Sequence, residues 1–265
     1  MNIRSKILGT TGQCIYCGAT DRPLHREHIV PYGLNGEWIL RRASCLECAK
    51  IISKIELQIL HIELSAARAA LNFPTRRKDK RPRKFPVVIS RGGKEEIANV
   101  SLLEHPTTMT LPIFELPAYL DKRSYEKGID VSGVVTIQVG GPPLKQIAEK
   151  YDTDTLLLKA TLQPVAFARL LAKIAYGFAV ANYGLGMFEE VYVLPAILGE
   201  SDDIGRWVGH PTDNLISAGK HLHEIKLSVT KGEILAHVRL FLPFNAPEYL
   251  VVVGRLRPLR KDSKY

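Results

Sequence analysis

Cysteine is scarce in this 265-residue chain, and its four cysteines all lie within residues 14–48. Long uncharged apolar runs are missing as well. The most apolar stretch, Pro164 to Phe188, contains Arg169, Lys173 and Asn182, whereas a membrane-spanning helix needs about 20 largely uncharged residues. The N-terminal residues have no apolar run of the length that a signal peptide requires. These absences predict a soluble, cytoplasmic protein.

Several common sequence signatures are also missing. The chain has no phosphate-binding P-loop, no dinucleotide-binding fingerprint and no internal repeat. Its 46% hydrophobic and 24% charged residues are ordinary for a globular protein, which excludes a disordered or collagen-like chain. The length predicts one large or two modest domains with a sizeable hydrophobic core.

Positive charge is distributed unevenly. The net charge is +9, which points to an anionic partner, either nucleic acid or an acidic membrane surface. Residues 1–86 hold 16 Lys and Arg against 7 Asp and Glu, whereas residues 87–265 hold 20 of each. Because the whole excess lies in the first third, nucleic acid is the predicted partner.

The cysteines form two C-x2-C pairs, Cys14 with Cys17 and Cys45 with Cys48. In a chain without an export signal, this spacing favours a metal site over a disulfide framework. Four thiolates suit tetrahedral Zn²⁺, and a closed four-cysteine site leaves no position for a reactive water. The pairs therefore predict a structural zinc ion, and Gly18 is suited to the tight turn of a zinc knuckle.

The residues around the cysteine pairs alternate between strand-like and loop-like patterns. Pro23 to Val30 and Glu37 to Ala43 are predicted as strands, separated by a loop over Pro31–Gly36 that contains an Asn-Gly turn. Apolar residues then recur at helical spacing from Leu46 to Asn72. The predicted order is knuckle, strand, loop, strand, knuckle and helix.

This order, with EHIVP at residues 27–31, ASC-x2-C at 43–48 and ISKIE at 52–56, resembles an HNH endonuclease of the ββα-metal fold. The resemblance covers about residues 13–74. It implies hydrolysis of phosphodiester bonds, with His28 as the general base and Glu27 as a ligand of a catalytic divalent ion. Carboxylate ligands favour a hard ion such as Mg²⁺ or Mn²⁺.

One position departs from the family. The residue after the last cysteine often completes the metal site, but here it is Ala49, which has no ligand atom. Ser53 and Glu56 share its helical face, so Glu56 is predicted as the second ligand of the catalytic ion. His61 lies five residues beyond Glu56 and is expected to be rotated off that face.

Histidine and arginine residues on the strands are further candidates. His25 lies three residues before His28 on a strand, so it is expected on the opposite face. Adjacent Glu27 and His28 are also expected to diverge unless the strand end bends. Arg41 and Arg42, on the second strand, are predicted to add to a DNA-binding surface.

The segment from Pro74 to Pro86 is strongly basic and is predicted to be an extended linker that contacts the DNA backbone. The alternative is a solvated linker that contributes only solubility. Its seven cationic residues are Arg76, Arg77, Lys78, Lys80, Arg81, Arg83 and Lys84.

Residues 87–265 are predicted to form an α+β domain with an antiparallel sheet. Pro164 to Tyr183 has the pattern of one amphipathic helix, and strands flanking Lys231-Gly232 are predicted to form a hairpin. A second metal or acid–base site could form from His210, Asp213, His221 and His223, which are close in sequence, but loop histidines rarely form one. The domain could sense a ligand, bind a regulatory partner, form a homo-oligomer or add DNA contacts.

The sequence thus predicts an α+β protein with an HNH-like zinc domain (1–73), a basic linker (74–86) and an α+β domain (87–265). The leading functional hypothesis is a metal-dependent HNH DNA endonuclease, with His28, Glu27 and Glu56 at its active site. The alternatives are a weak or inactive zinc-bearing DNA-binding module and a phage-defence nuclease that a signal activates.

Overall fold

The structure is a computed structural model that describes residues 6–153, 155–158, 161–212 and 221–258. Helix accounts for 31% and strand for 35% of the chain. Within the described residues the strands form four sheets, and all pairs except one are antiparallel. The predicted α+β class with antiparallel sheets is therefore confirmed.

The first sheet has three strands, β1 (Lys6–Thr10), β2 (Leu24–His28) and β3 (Trp38–Cys45), in the order β1-β3-β2. Strands β2 and β3 are antiparallel, and helix α1 (Leu46–Leu57) follows β3 directly. The predicted strand–loop–strand–helix order is therefore confirmed. Strand β1, which pairs with β3 in parallel, was not predicted.

The helical region after Cys45 is interrupted, although the sequence predicted one helix as far as Asn72. Helix α1 continues into a π-helical segment, Gln58–Glu63, and then into α2 (Ser65–Ala70). Asn72 adopts a left-handed conformation, with φ of 51°, and ends the region as predicted.

Two small sheets come next, and the first begins at Lys84, so the last three residues of the predicted linker belong to a strand. Strands β4 (Lys84–Arg91), β5 (Lys94–Ser101) and β8 (Thr155–Leu157) form one of them in the order β5-β4-β8. Strands β6 (Thr107–Phe114) and β7 (Val131–Gly140) form the other. The short helices α3 (Ala118–Asp121) and α4 (Leu144–Lys150) flank β7 in sequence.

The last sheet is fully antiparallel and runs in the order β10-β13-β12-β11, with β9 also paired to β13. The predicted hairpin is confirmed as β11 and β12, which turn at Lys231 and Gly232, both with positive φ. The bounds of this region are α5 (Pro164–Tyr183), β9 (Phe188–Val191), α6 (Leu194–Leu198), α7 (Ile204–Trp207), β10 (Val208–Gly209), β11 (His223–Thr230), β12 (Glu233–Leu240) and β13 (Glu248–Leu256).

Helix α5 has the predicted bounds and lies at the centre of the molecule. It is long and apolar enough to cross a membrane, but 72% of its most apolar window is buried inside the protein, as in the core helix of a soluble protein. It packs against α1 on one side and against β12 and β13 on the other. One hydrophobic core therefore extends from Cys14 to Val253, across the predicted boundaries between residues 1–73, 74–86 and 87–265.

Candidate functional site

The four cysteines converge on one point. Their sulfur atoms all lie within 4.8 Å of one another. The Sγ atoms of Cys17 and Cys45 are 3.7 Å apart, far longer than a disulfide bond of about 2.05 Å. Two ligands of a tetrahedral zinc ion, each about 2.3 Å from the metal, would be separated by about 3.8 Å. The sulfur spacing therefore fits a structural zinc ion.

Backbone contacts hold this cluster in shape. The Gly18 N–H donates to the Cys14 carbonyl at 2.8 Å, and Gly18 has a φ of 73°, which glycine adopts easily. The Cys45 N–H donates to the Cys14 sulfur at 3.4 Å. A sulfur that accepts an amide hydrogen bond is better stabilised as the thiolate that zinc requires. The predicted knuckle turn at Gly18 is confirmed.

A cleft of about 1120 Å³ opens beside the cysteine-bearing elements. The end of β2, one face of α1 and α2, and the basic linker form its walls. It brings together most of the residues that the sequence singled out, namely His25, Glu27, His28, Ala49, Ser53, Glu56, His61, Arg76, Arg77, Lys80 and Arg81.

An irregularity in strand pairing explains why consecutive residues of β2 reach the same cleft. His25 pairs with Ser44 but Glu27 pairs with Leu40, so three residues of β3 oppose one residue of β2. Such a bulge bends the strands and redirects side chains. His25 and His28, which a regular strand would place on opposite faces, consequently both line the cleft.

The His28 side chain is partly buried at the edge of the cleft. Its Nδ1 atom has no solvent access and no hydrogen bond of standard geometry. Burial lowers the pKa of His28 to about 4, and the positive charges of Lys173, Arg26 and Arg76 act in the same direction. The backbone of Gly36 has the opposite, smaller effect. The imidazole is therefore neutral at pH 7.

Glu27 and Glu56, the two predicted metal ligands, share a partner that the sequence did not predict. The ammonium group of Lys173, on α5, lies 2.7 Å from Glu27 Oε1 and 3.1 Å from Glu56 Oε1. It also donates to the backbone carbonyls of His28 and Ile29. The side chain of Lys173 is only 1% exposed.

The charges in this buried group stabilise one another. Burial disfavours the Lys173 ammonium, but the negative charges of Glu27 and Glu56 outweigh it and raise the pKa of Lys173. Burial raises the pKa of Glu27, while Lys173 and the neighbouring Tyr16 hydroxyl favour its ionised form. The pKa of Tyr16 lies well above its ordinary value because the residue is buried beside two carboxylates. Lys173 therefore remains cationic between its two partners.

This arrangement does not fit a divalent ion shared by Glu27 and Glu56. Such an ion binds carboxylate oxygens at about 2.0–2.2 Å, in the space that the Lys173 ammonium fills. Within the described ranges, the four cysteines are the one group of three or more metal-ligating side chains that come close together. Glu27 and Glu56 therefore lie close together, but the positive charge between them is the ammonium group of Lys173.

The cleft face of α1 contains Ala49, Ser53 and Glu56, as their spacing predicted. The prediction that His61 is rotated off this face is wrong. His61 lies in the π-helical segment, where hydrogen bonds span five residues rather than four. A residue five positions after Glu56 consequently returns to the cleft.

The basic linker divides into two parts. Arg76, Arg77, Lys80 and Arg81 line the cleft, and Arg81 donates to Asn72 Oδ1 at 2.8 Å and to the Phe73 carbonyl. The side chain of Lys78 lies outside the described part of the structure. The other predicted DNA contacts, Arg83, Lys84, Arg41 and Arg42, are exposed but do not line this cleft.

Two important side chains were missed by the sequence reasoning. Lys173 lies within an apolar stretch of the sequence. Because a buried lysine on such a helix needs an anionic partner, this position was the signal for its ion pairs. Arg68 is a second example, because its guanidinium donates to the carbonyls of Gly33 (2.7 Å), Leu60 (2.8 Å) and Pro74. It joins three walls of the cleft.

The C-terminal histidines form no second site in the described residues. His223 is buried, and its Nε2 lies 2.8 Å from the carbonyl of Leu34, in the loop after β2. The Nδ1 of His210 contacts the carbonyl of Pro211. Asp213, which the sequence grouped with them, lies outside the described residues.

Comparison with protein-family models, with curated proteins and with solved structures finds no match for this chain. Its function is therefore inferred from the site itself.

Proposed function

We propose that the protein is a DNA endonuclease of the HNH type that hydrolyses phosphodiester bonds in the cleft beside its zinc knuckle. The observation that carries this proposal is the position of His28. A neutral imidazole lies in the same cleft as Arg76, Arg77 and Lys80. A base and a set of cations are the two requirements for attack by water on an anionic phosphodiester.

In the proposed reaction, the imidazole of His28 removes a proton from a water molecule, whose oxygen then forms a bond to phosphorus. The bond from phosphorus to one sugar oxygen breaks, and the departing oxygen takes a proton from solvent. The cations of the linker attract the DNA backbone and offset the charge that develops on the phosphate. Glu27, in the wall of the cleft, and Lys173, buried behind it, fix the end of β2.

A second candidate is a zinc-bearing module that binds DNA without cutting it. Two observations favour it. Ala49 provides no ligand atom after the last cysteine, and both carboxylates of the site are already paired with Lys173. The two candidates share the basic cleft and differ in the role of His28.

Incubation of zinc-loaded protein with supercoiled plasmid, with and without Mg²⁺ or Mn²⁺, separates the candidates. We expect the wild type to nick the plasmid and His28→Ala to lose at least about 100-fold in rate, since general bases typically contribute that much. His61→Ala is the matched control, because it removes another imidazole from the same cleft. Equal cleavage by wild type and His28→Ala would overturn the assigned role, and tight binding without cleavage would establish the second candidate.

A further inference from the structure

We propose that the ammonium group of Lys173 is the resident cation of the Glu27–Glu56 pair and takes the place of a divalent metal ion there. Only the catalytic consequence of this inference rests on the proposed nuclease function. The identity of the cation between Glu27 and Glu56 does not depend on it.

The contacts of Lys173 use its whole hydrogen-bonding capacity. An ammonium group has three N–H donors, and here four oxygen atoms surround it: the carboxylates of Glu27 and Glu56 and the carbonyls of His28 and Ile29. Two carboxylates with two backbone carbonyls form an all-oxygen ligand set of the kind that hard cations prefer. The lysine thus occupies a cation site built by the chain itself.

Burial makes this cation difficult to displace. Unpaired charges are costly in a protein interior, so neither the lysine nor Glu27 can lose its partner without a large penalty. The helix that carries Lys173 is also fixed in place. One turn further along α5, the Tyr176 hydroxyl donates to the carbonyl of Ile15, and Gly177 lies against Ile29. The fixed helix therefore holds the base of the Lys173 side chain beside the two carboxylates.

The catalytic consequence is that residues 87–265 complete the site. Lys173 acts as a positioning residue, because it contacts the backbone of His28 while remaining buried away from the cleft. Charge on the phosphate would then be offset by the cations of the linker rather than by an ion held between Glu27 and Glu56.

Binding of Mn²⁺ to zinc-loaded protein, followed by electron paramagnetic resonance, tests this inference without DNA. We expect no ordered Mn²⁺ at this site in the wild type. Lys173→Met should leave two unpaired carboxylates and gain one Mn²⁺ per chain, with at least about tenfold tighter binding than the wild type. The double variant Lys173→Met/Glu56→Gln is the matched control and should lose the gained site.

Lys173→Met is expected to be less stable than the wild type, so its melting temperature is measured with and without Mn²⁺. A Mn²⁺-dependent rise in the variant alone supports the inference. If the variant does not fold, a wild-type crystal soaked in Mn²⁺ decides the question. An anomalous peak between Glu27 and Glu56 would overturn the proposal, and its absence at saturating Mn²⁺ would support it. Because these measurements involve no DNA, they stay decisive even if the protein does not cut DNA.

Discussion

The hydroxyl group of Tyr176 donates a hydrogen bond to the backbone carbonyl of Ile15, although the two residues are 161 positions apart. Ile15 lies between the first two cysteines, and Tyr176 lies on the central helix α5. The aromatic ring of Tyr176 also contacts Tyr16, with ring centroids 6.2 Å apart. The four-cysteine cluster and the C-terminal two-thirds of the chain are therefore directly joined.

We expect Tyr176→Phe to lower the free energy of unfolding by about 1 kcal/mol, because the Ile15 carbonyl loses its partner in a buried place. Urea unfolding measures the loss, and hydrogen exchange should show weaker protection around residues 14–18. Asn182→Ala is the control on the same helix, since it removes an exposed hydrogen bond to Phe178. Equal losses in the two variants would contradict the importance of the buried contact.

Removal of zinc should affect more than the knuckle. We expect Cys45→Ser to abolish zinc binding and to lower the melting temperature by roughly 10 °C or more, because the metal contributes directly to folding and α5 packs on the same region. Metal content by mass spectrometry and thermal unfolding measure these effects. A wild type that contains no zinc, with a melting temperature insensitive to chelators, would show that the cluster does not bind zinc.

The two parts of the basic linker should differ in DNA binding. Arg76→Gln/Arg77→Gln removes two cations that line the cleft. If both contact phosphates, the slope of log affinity against log salt concentration should decrease by about 1.8, since each contact contributes about 0.9.

The control for this experiment is Arg83→Gln/Lys84→Gln, which removes the same charge outside the cleft. It should change the salt dependence much less when binding is measured by fluorescence anisotropy. Similar slopes for both double variants would mean that DNA does not enter the cleft.

The stability of the fold should decrease in acid partly because of His223. Burial lowers the pKa of His223 to about 4. Above pH 6.5 both the folded and the unfolded forms are neutral, and between pH 6.5 and about 4 only the unfolded form binds the proton. Stability therefore falls as the pH is lowered through this range, by up to about 1.4 kcal/mol per pH unit.

This pH dependence is measured by urea unfolding at pH 7 and pH 5 in wild type and His223→Gln. Glutamine retains an N–H donor for the Leu34 carbonyl but does not titrate. The wild type should lose about 1–2 kcal/mol more than the variant between the two pH values. Identical losses would show that His223 is not the group responsible, since the cysteines and other histidines are common to both proteins.

Gly36 should tolerate no side chain. A Cβ atom at this position would lie 2.0 Å from the carbonyl oxygen of Val30, so the loop that follows His28 would have to move. We expect Gly36→Ala to cost roughly 2 kcal/mol or more and to reduce any cleavage. Gly186→Ala is the control, because no atom lies within 4 Å of its Cβ position. A stable, fully active Gly36→Ala variant would contradict this account.

Local sequence signals predicted much of the fold. The C-x2-C spacing located the cysteine cluster, the Asn-Gly dipeptide located the turn after β2, and helical periodicity gave α5 its bounds. In the turn and the helix the cause acts within a few residues of the effect, and each C-x2-C pair is equally local. Strand β1 escaped prediction because its pairing with β3 connects distant parts of the chain.

The candidate site was predictable only in part, for the same reason. The resemblance at residues 27–56 identified His28, Glu27 and Glu56, which the fold does bring to one cleft. It could not identify Lys173, since that lysine lies far away in the sequence and reaches Glu27 only through the packing of α5 against α1. The bulge beside Arg26 and the π-helical turn at His61 were missed because both depart from regular strand and helix periodicity.

The ion pair with Lys173 also sets an order of events during synthesis of the protein. His28 and Lys173 are separated by 145 residues, which a ribosome takes about 7–30 seconds to add. During that interval Glu27 and Glu56 lack Lys173, their buried partner, and the end of β2 lacks its contact with α5. In a growing polypeptide that carries His28 and the basic linker, the ion pairs of Glu27 and Glu56 with Lys173 can thus form only after α5 has been made.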